Sequence, residues 1–145
     1  MQLSKLENSA YEELRKKKLS IFKIRELQLL LKINKVKAYN LIKSLKRKKI
    51  IKNVGKNFFA WNDTDNFTIA VNINYPSYIS FWSALNYYGF SDQMPKKIFL
   101  ATTKYTKEIK NFKFVTLSKK RFFGYIKIGE ITIAEKEKAI IDSLL

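Results

Sequence analysis

Apolar residues recur at helical spacing through the first third of the chain and at mixed spacing after it. Leu3, Leu6, Ala10 and Leu14 repeat with charges between them, which predicts an amphipathic first helix ending near the basic run Arg15–Lys18. That run reads either as a solvated helix end that favours cations or as a phosphate contact. Leu27, Leu30 and Leu31 form the face of a second, short helix that stops at Lys32-Ile33-Asn34. Asn34 suits the N-cap of a third helix, from Lys35 to Lys48. Its buried stripe is Ala38, Leu41, Ile42 and Leu45, at i, i+3, i+4 and i+7. Ile50, Ile51 and Val54 then lead to Gly55-Lys56, and Phe58, Phe59 and Trp61 follow, which predicts a β-hairpin. Helix, short helix, turn, longer helix and hairpin is the order of a winged helix-turn-helix. A basic three-helix module that docks protein or RNA is the alternative.

The texture changes at Asp63–Ser77, which is polar and nearly uncharged and reads as a linker. Within it the alternation of Phe67, Ile69, Val71 and Ile73 suits a strand, whereas Asp65 as an N-cap suits a short helix; pattern alone leaves both open. Ser80 is placed to cap a helix through Tyr88, with Phe81, Ala84, Leu85 and Tyr88 as its apolar face and Gly89 as its stop. Strands are predicted at Ile98–Thr102, Phe112–Leu117, Phe122–Ile128 and Glu130–Ile133, the last two joined by a turn at Lys127–Glu130. A final helix starts near Ala134 and carries Ala139, Ile140 and Ile141. The apolar Leu144-Leu145 end, without a C-cap, suggests that the natural chain continues or that this helix docks on something. The expected class is α+β, with a winged helix-turn-helix at 1–62, a linker at 63–77 and a small α+β domain at 78–145.

Charge sharpens the reading of the first part. The chain has a formal net charge of +17, and the first 62 positions hold 17 Lys and Arg against four Asp and Glu, a net +13. Such a field repels itself and calls for a polyanion, with a nucleic-acid backbone the first choice. On the third helix, at about 100° per residue, Val36, Asn40, Lys43 and Arg47 fall opposite the buried stripe, flanked by Lys35, Lys37 and Tyr39. In the major groove, Asn40 and Arg47 would be the best candidates for base edges. Lys46, Lys48, Lys52 and Lys56 would hold phosphates, the last two on the wing with Asn57.

Composition removes much chemistry. With no Cys and no His, disulfides, thiolate metal sites, cysteine nucleophiles and the usual zinc and general-base options are excluded. A hydrophobic fraction of 46% is normal for a globular chain. Neither a leader-like apolar run nor a membrane-length stretch occurs, so a cytoplasmic protein is expected. Four glycines offer no phosphate-cradling loop. Glu135, Glu137 and Asp142 could hold Mg²⁺, but Lys136 and Lys138 among them make ordinary helical ion pairing the favoured reading. No predicted strand carries the E-x-K of a nuclease, and no spacing marks a nucleophile with its base. An enzyme, a cofactor and a metal are therefore not expected. Trp82, Tyr87, Tyr88, Phe122, Phe123 and Tyr125 could stack on bases, though their spacing favours a place in the core.

The stretch Pro76-Ser77-Tyr78-Ile79-Ser80, followed by Ser83-Ala84-Leu85 and Tyr88-Gly89-Phe90, resembles the AbiEi-type antitoxins of type IV toxin–antitoxin systems. The resemblance continues through Ile98–Thr102 and Phe123-Gly124-Tyr125 and is strongest at Ile133–Asp142, where the family shows I-A-x-x-E-K-A-L/I-x-D. Many relatives have His where this chain has Tyr88, so no role of that His transfers. Family members also commonly run on past this last helix. The resemblance implies a winged helix that binds inverted repeats in double-stranded DNA upstream of its own operon and represses it. It further implies a nucleotidyltransferase-like toxin as functional partner, opposed by the second domain. A shared role for Glu137, Lys138 and Asp142 is expected to be structural, an ion-paired helix fixed to the sheet. Competing with this are a winged-helix regulator whose second domain senses a small ligand, and a metal-dependent nucleic-acid enzyme.

Overall fold

The computed structural model describes residues 2–105, 109 and 111–144. They form two compact units, Met1–Thr64 and Asp65–Leu145. Helices and two sheets occur together in an α+β arrangement.

The first unit contains α1 (Lys5–Lys16), β1 (Ile21–Phe22), α2 (Ile24–Leu31), α3 (Lys35–Arg47), β2 (Ile51–Gly55) and β3 (Phe58–Trp61). The hairpin β2–β3 is antiparallel, and β1 adds to its free side in the order β1-β3-β2, pairing Ile21 with Ala60 and Phe22 with Phe59. The strand β1 has no counterpart in the sequence reading, because two residues are too short to show a period. Leu14, Phe22, Leu27, Leu41, Leu45, Ile51 and Trp61 meet in one core. Arg15 of the basic run lies over the Trp61 ring at 4.5 Å, so that cation covers the core edge. Just past each of the three helices, or at its cap, a lysine takes the left-handed conformation: Lys18 (φ 55°), Lys32 (φ 55°) and Lys49 (φ 59°). All three are exposed at the surface.

The second unit contains α4 (Asn66–Ile73), β4 (Ser77–Ile79), α5 (Phe81–Tyr87), β5 (Ile98–Thr102), β6 (Phe112–Thr116), β7 (Tyr125–Ile128), β8 (Ile131–Ala134) and α6 (Lys136–Ser143). Its mixed sheet runs β6-β5-β4-β8-β7. The expected linker is thus a helix and a central strand. The Asp65 carboxylate accepts from the Thr68 N–H at 3.2 Å and from its hydroxyl at 2.6 Å, which starts α4 as a cap should. Thr68, Ile69, Ala70, Val71 and Ile73 are all buried. A helix enclosed on most sides carries no single apolar stripe, so its residues mimic a strand's alternation.

Two further expectations shift. Residues Phe122–Gly124 lie outside β7 and follow a 3-10 turn at Lys119–Arg121. Ser80 precedes α5 but does not cap it with its side chain, which is engaged elsewhere. The aromatic residues divide as well: Trp82, Tyr87, Phe123 and Tyr125 are exposed rather than in the core, while Tyr88 and Phe122 are half-buried.

Candidate nucleic-acid interface

The helix α3 is fixed from three sides. Ala38, Leu41, Ile42 and Leu45 are buried, and the Asn34 side chain accepts the Lys37 N–H at 2.8 Å. On the α1 side, Glu7 ties the two helices together. Its Oε2 accepts the Ser44 hydroxyl at 3.1 Å, and its Oε1 accepts the Lys48 ammonium at 2.7 Å. Glu7 also closes the capping box of α1, accepting the Ser4 N–H at 2.9 Å while Ser4 Oγ accepts the Glu7 N–H at 3.1 Å.

The Lys48 ammonium, helped by the Ser4 and Ser44 donors and opposed by burial, lowers the Glu7 carboxyl from 4.5 to about 2. A lowered folded-state pKa contributes stability that is complete above pH 4.5 and is lost as pH falls toward 2. Glu7→Gln should therefore flatten the acid limb of the first unit's stability curve. Urea midpoints of both proteins at pH 7 and pH 3 measure this; parallel loss in the two would remove Glu7 as the cause.

A cleft of about 680 Å³ runs between α3, the hairpin and the start of α2. Lys23 and Arg25 enter it from α2's first turn, Lys35, Lys43 and Lys46 from α3, and Asn53 and Asn57 from the hairpin, with Tyr39 between them. Among the described residues no Asp or Glu lines it. The pairing of β1 with β3 sets the start of α2 beside the hairpin, which brings Lys23 and Arg25 to this cleft. Lys23 lies over the Phe58 ring at 4.8 Å. Asn57 sits in the two-residue turn with φ 68°, a conformation that asparagine tolerates.

Of the ten candidates, Lys35, Tyr39, Lys43 and Lys46 line this cleft together. Asn40 and Arg47 share the outward face with Val36, which is 70% exposed. Lys56 is exposed at the hairpin turn. Lys37 falls on the stripe of Ser44 and Lys48, seven and eleven residues on, and so faces the α1 side rather than flanking the cleft with Lys35. The ammonium of Lys48 is occupied by Glu7 and by the Gln2 carbonyl at 3.1 Å, and that of Lys52 by the Thr64 carbonyl at 3.1 Å. Both therefore hold the fold rather than standing free for phosphate. Lys23, Arg25 and Asn53 were missed as lining residues. Their only sequence signal is a basic pair flanking Ile24, which means nothing until β1 is known.

In the second unit the two stretches Ser77–Ser80 and Ile133–Asp142 converge. Asp142 accepts the Lys138 ammonium at 2.6 Å on Oδ1, and the Tyr78 and Ser80 hydroxyls at 2.9 and 2.7 Å on Oδ2. Lys138 donates once more, to the Arg121 carbonyl at 2.8 Å. The i, i+4 pairing expected of this helix is thus present between Lys138 and Asp142, while Glu135 and Glu137 stay exposed and apart from it. Gly124 packs on the stem of Lys138: a Cβ there would lie 2.9 Å from its Cγ. Burial, then the hydrogen bond to Asp142, pushes the Tyr78 hydroxyl well above its usual pKa. Among the described residues no three acidic side chains converge on a metal site, and no helix is long and apolar enough to cross a membrane. No protein-family model matches the chain, and no curated protein matches it significantly.

Proposed function

We propose that the first unit is a winged helix that binds double-stranded DNA, with α3 as its recognition helix and the β2–β3 hairpin as its wing. One observation carries this reading: five cations, Lys23, Arg25, Lys35, Lys43 and Lys46, line one cleft beside α3, with no acidic residue among the described residues of its lining. Phosphate oxygens are the natural partners of such a surface. The outward stripe of Val36, Asn40 and Arg47 supplies what phosphates do not use. Asn can pair with adenine, Arg with guanine, and an exposed valine can meet a thymine methyl.

The chain then acts in the cytoplasm as an autorepressor and as the antitoxin of a type IV toxin–antitoxin system, with a nucleotidyltransferase-like toxin as its functional partner. The AbiEi resemblance supports that part, and the stretch where it is strongest, Ile133–Asp142, shares one buried network with Tyr78 and Ser80 of the stretch where it begins.

Binding to its own upstream DNA and to a scrambled duplex, measured by fluorescence anisotropy across a salt series, tests the repressor. Tighter binding to the upstream site that persists as salt rises is expected. Equal binding to both duplexes that collapses with salt would sink the sequence-specific reading. Coexpression with the neighbouring toxin gene tests the antitoxin, which fails if growth is not restored.

A further inference from the structure

The second unit has an open cleft of about 590 Å³ that the proposal above does not use. Trp82 from the first turn of α5, Phe99 from β5 and Lys113 from β6 line it, together with Met94 and Lys96 of the connecting segment. Phe99 and Lys113 are partners on neighbouring parallel strands. The indole of Trp82 is 54% exposed and Met94 is 80% exposed, although both are apolar. Among the described residues no acidic side chain lines the cleft.

The backbone beside it is held in an unfavourable conformation. Phe81, which immediately precedes Trp82, has φ 56°, a region bulky residues avoid. Bonds on either side hold it there. The Ser80 hydroxyl is fixed on Asp142, the Ser80 N–H donates to the Phe99 carbonyl at 3.0 Å, and the Phe99 N–H donates to Ser83 Oγ at 2.8 Å. The result is a large aromatic face held in solvent beside ammonium groups. An apolar ligand would leave the lysines unused, and a cation would be repelled. A flat ring that carries phosphate uses both.

We propose that this cleft binds a nucleotide, its base stacked on Trp82 and its phosphates held by Lys96 and Lys113. Stacking of this kind tolerates any base, and the cleft's volume is that of an ordinary small-molecule site. The nucleotide can be free or part of an unpaired strand, and the probes separate the two.

Trp61 is only 5% exposed, so quenching of the full chain's fluorescence, excited selectively at the indole absorption edge, reports Trp82. The probes are ATP, GTP, a single-stranded oligothymidine and inorganic triphosphate. Saturable quenching by the nucleotides or the oligothymidine is expected, the tighter of them naming the source. Triphosphate should bind at least roughly tenfold more weakly than ATP, since it cannot stack. By calorimetry, Trp82→Ala and the exposed pair Lys96→Ala/Lys113→Ala should each weaken binding roughly tenfold or more. Lys43→Glu, in the first unit, should leave it unchanged. No saturable binding at millimolar concentration, triphosphate as good as ATP, or loss through Lys43→Glu alone would each overturn the cleft. None of these results bears on duplex binding.

Discussion

Replacing Asp142 by alanine should cost the second unit about 3–5 kcal/mol, the loss typical of a buried ion pair stripped of one partner. The carboxylate is fully buried and serves three donors at 2.9 Å or less. Without it the Lys138 ammonium, itself 4% exposed, keeps the Arg121 carbonyl and the face of the Phe123 ring at 4.4 Å, neither of which carries a negative charge. The Tyr78 and Ser80 hydroxyls lose their acceptor in the same step. Asp142→Asn should fall between, because an amide oxygen still accepts from the hydroxyls but does not neutralise the lysine. The double replacement Lys138→Met/Asp142→Leu should recover much of the loss, since it leaves no buried charge behind. Urea unfolding followed by tyrosine near-ultraviolet dichroism measures all three. A loss below about 1 kcal/mol for the alanine variant would mean that water reaches the pair and that the network does not hold the helix to the sheet.

The second large effect belongs to the first unit. Converting Lys35, Lys43 and Lys46 together to alanine should weaken duplex binding roughly a hundredfold at moderate salt, taking about 1 kcal/mol per solvent-exposed ion pair. The slope of log affinity against log salt should fall by about 2.7, or about 0.9 for each phosphate no longer neutralised. Operator and scrambled duplex should suffer alike, because phosphates carry no sequence. Asn40→Ala should behave in the opposite way, keeping the slope and narrowing the gap between the two duplexes. Lys37→Ala should do little, since that side chain lies on the α1 side of α3. An unchanged slope in the triple variant would place the DNA on another face.

The contrast between Lys35 and Lys37 shows where sequence reasoning stops. Helical spacing finds the stripe Ala38, Leu41, Ile42 and Leu45 because one face of α3 is buried, and Asn34 caps where a cap is expected. It does not say which flank meets the hairpin and which meets α1. That depends on β1, two residues long, and on Glu7, which finds Lys48 across 41 residues of chain. The hairpin and β5 were legible because turn and alternation coincide there. The helix α4 was not, since burial on most sides erases its period. The pairing of Lys138 with Asp142 follows from local spacing, but Tyr78 lies 64 residues from Asp142 and nothing local announces it. Trp82 reads as core by period, yet the turn at Phe81 holds it in solvent.

Lys18, Lys32 and Lys49 take a backbone shape that glycine adopts freely and that other residues adopt at a cost of about 1 kcal/mol each. Selection for thermal robustness alone would favour glycine at all three helix ends. A glycine-capped version should therefore gain heat tolerance while giving up three of the positive charges that make up the first unit's field.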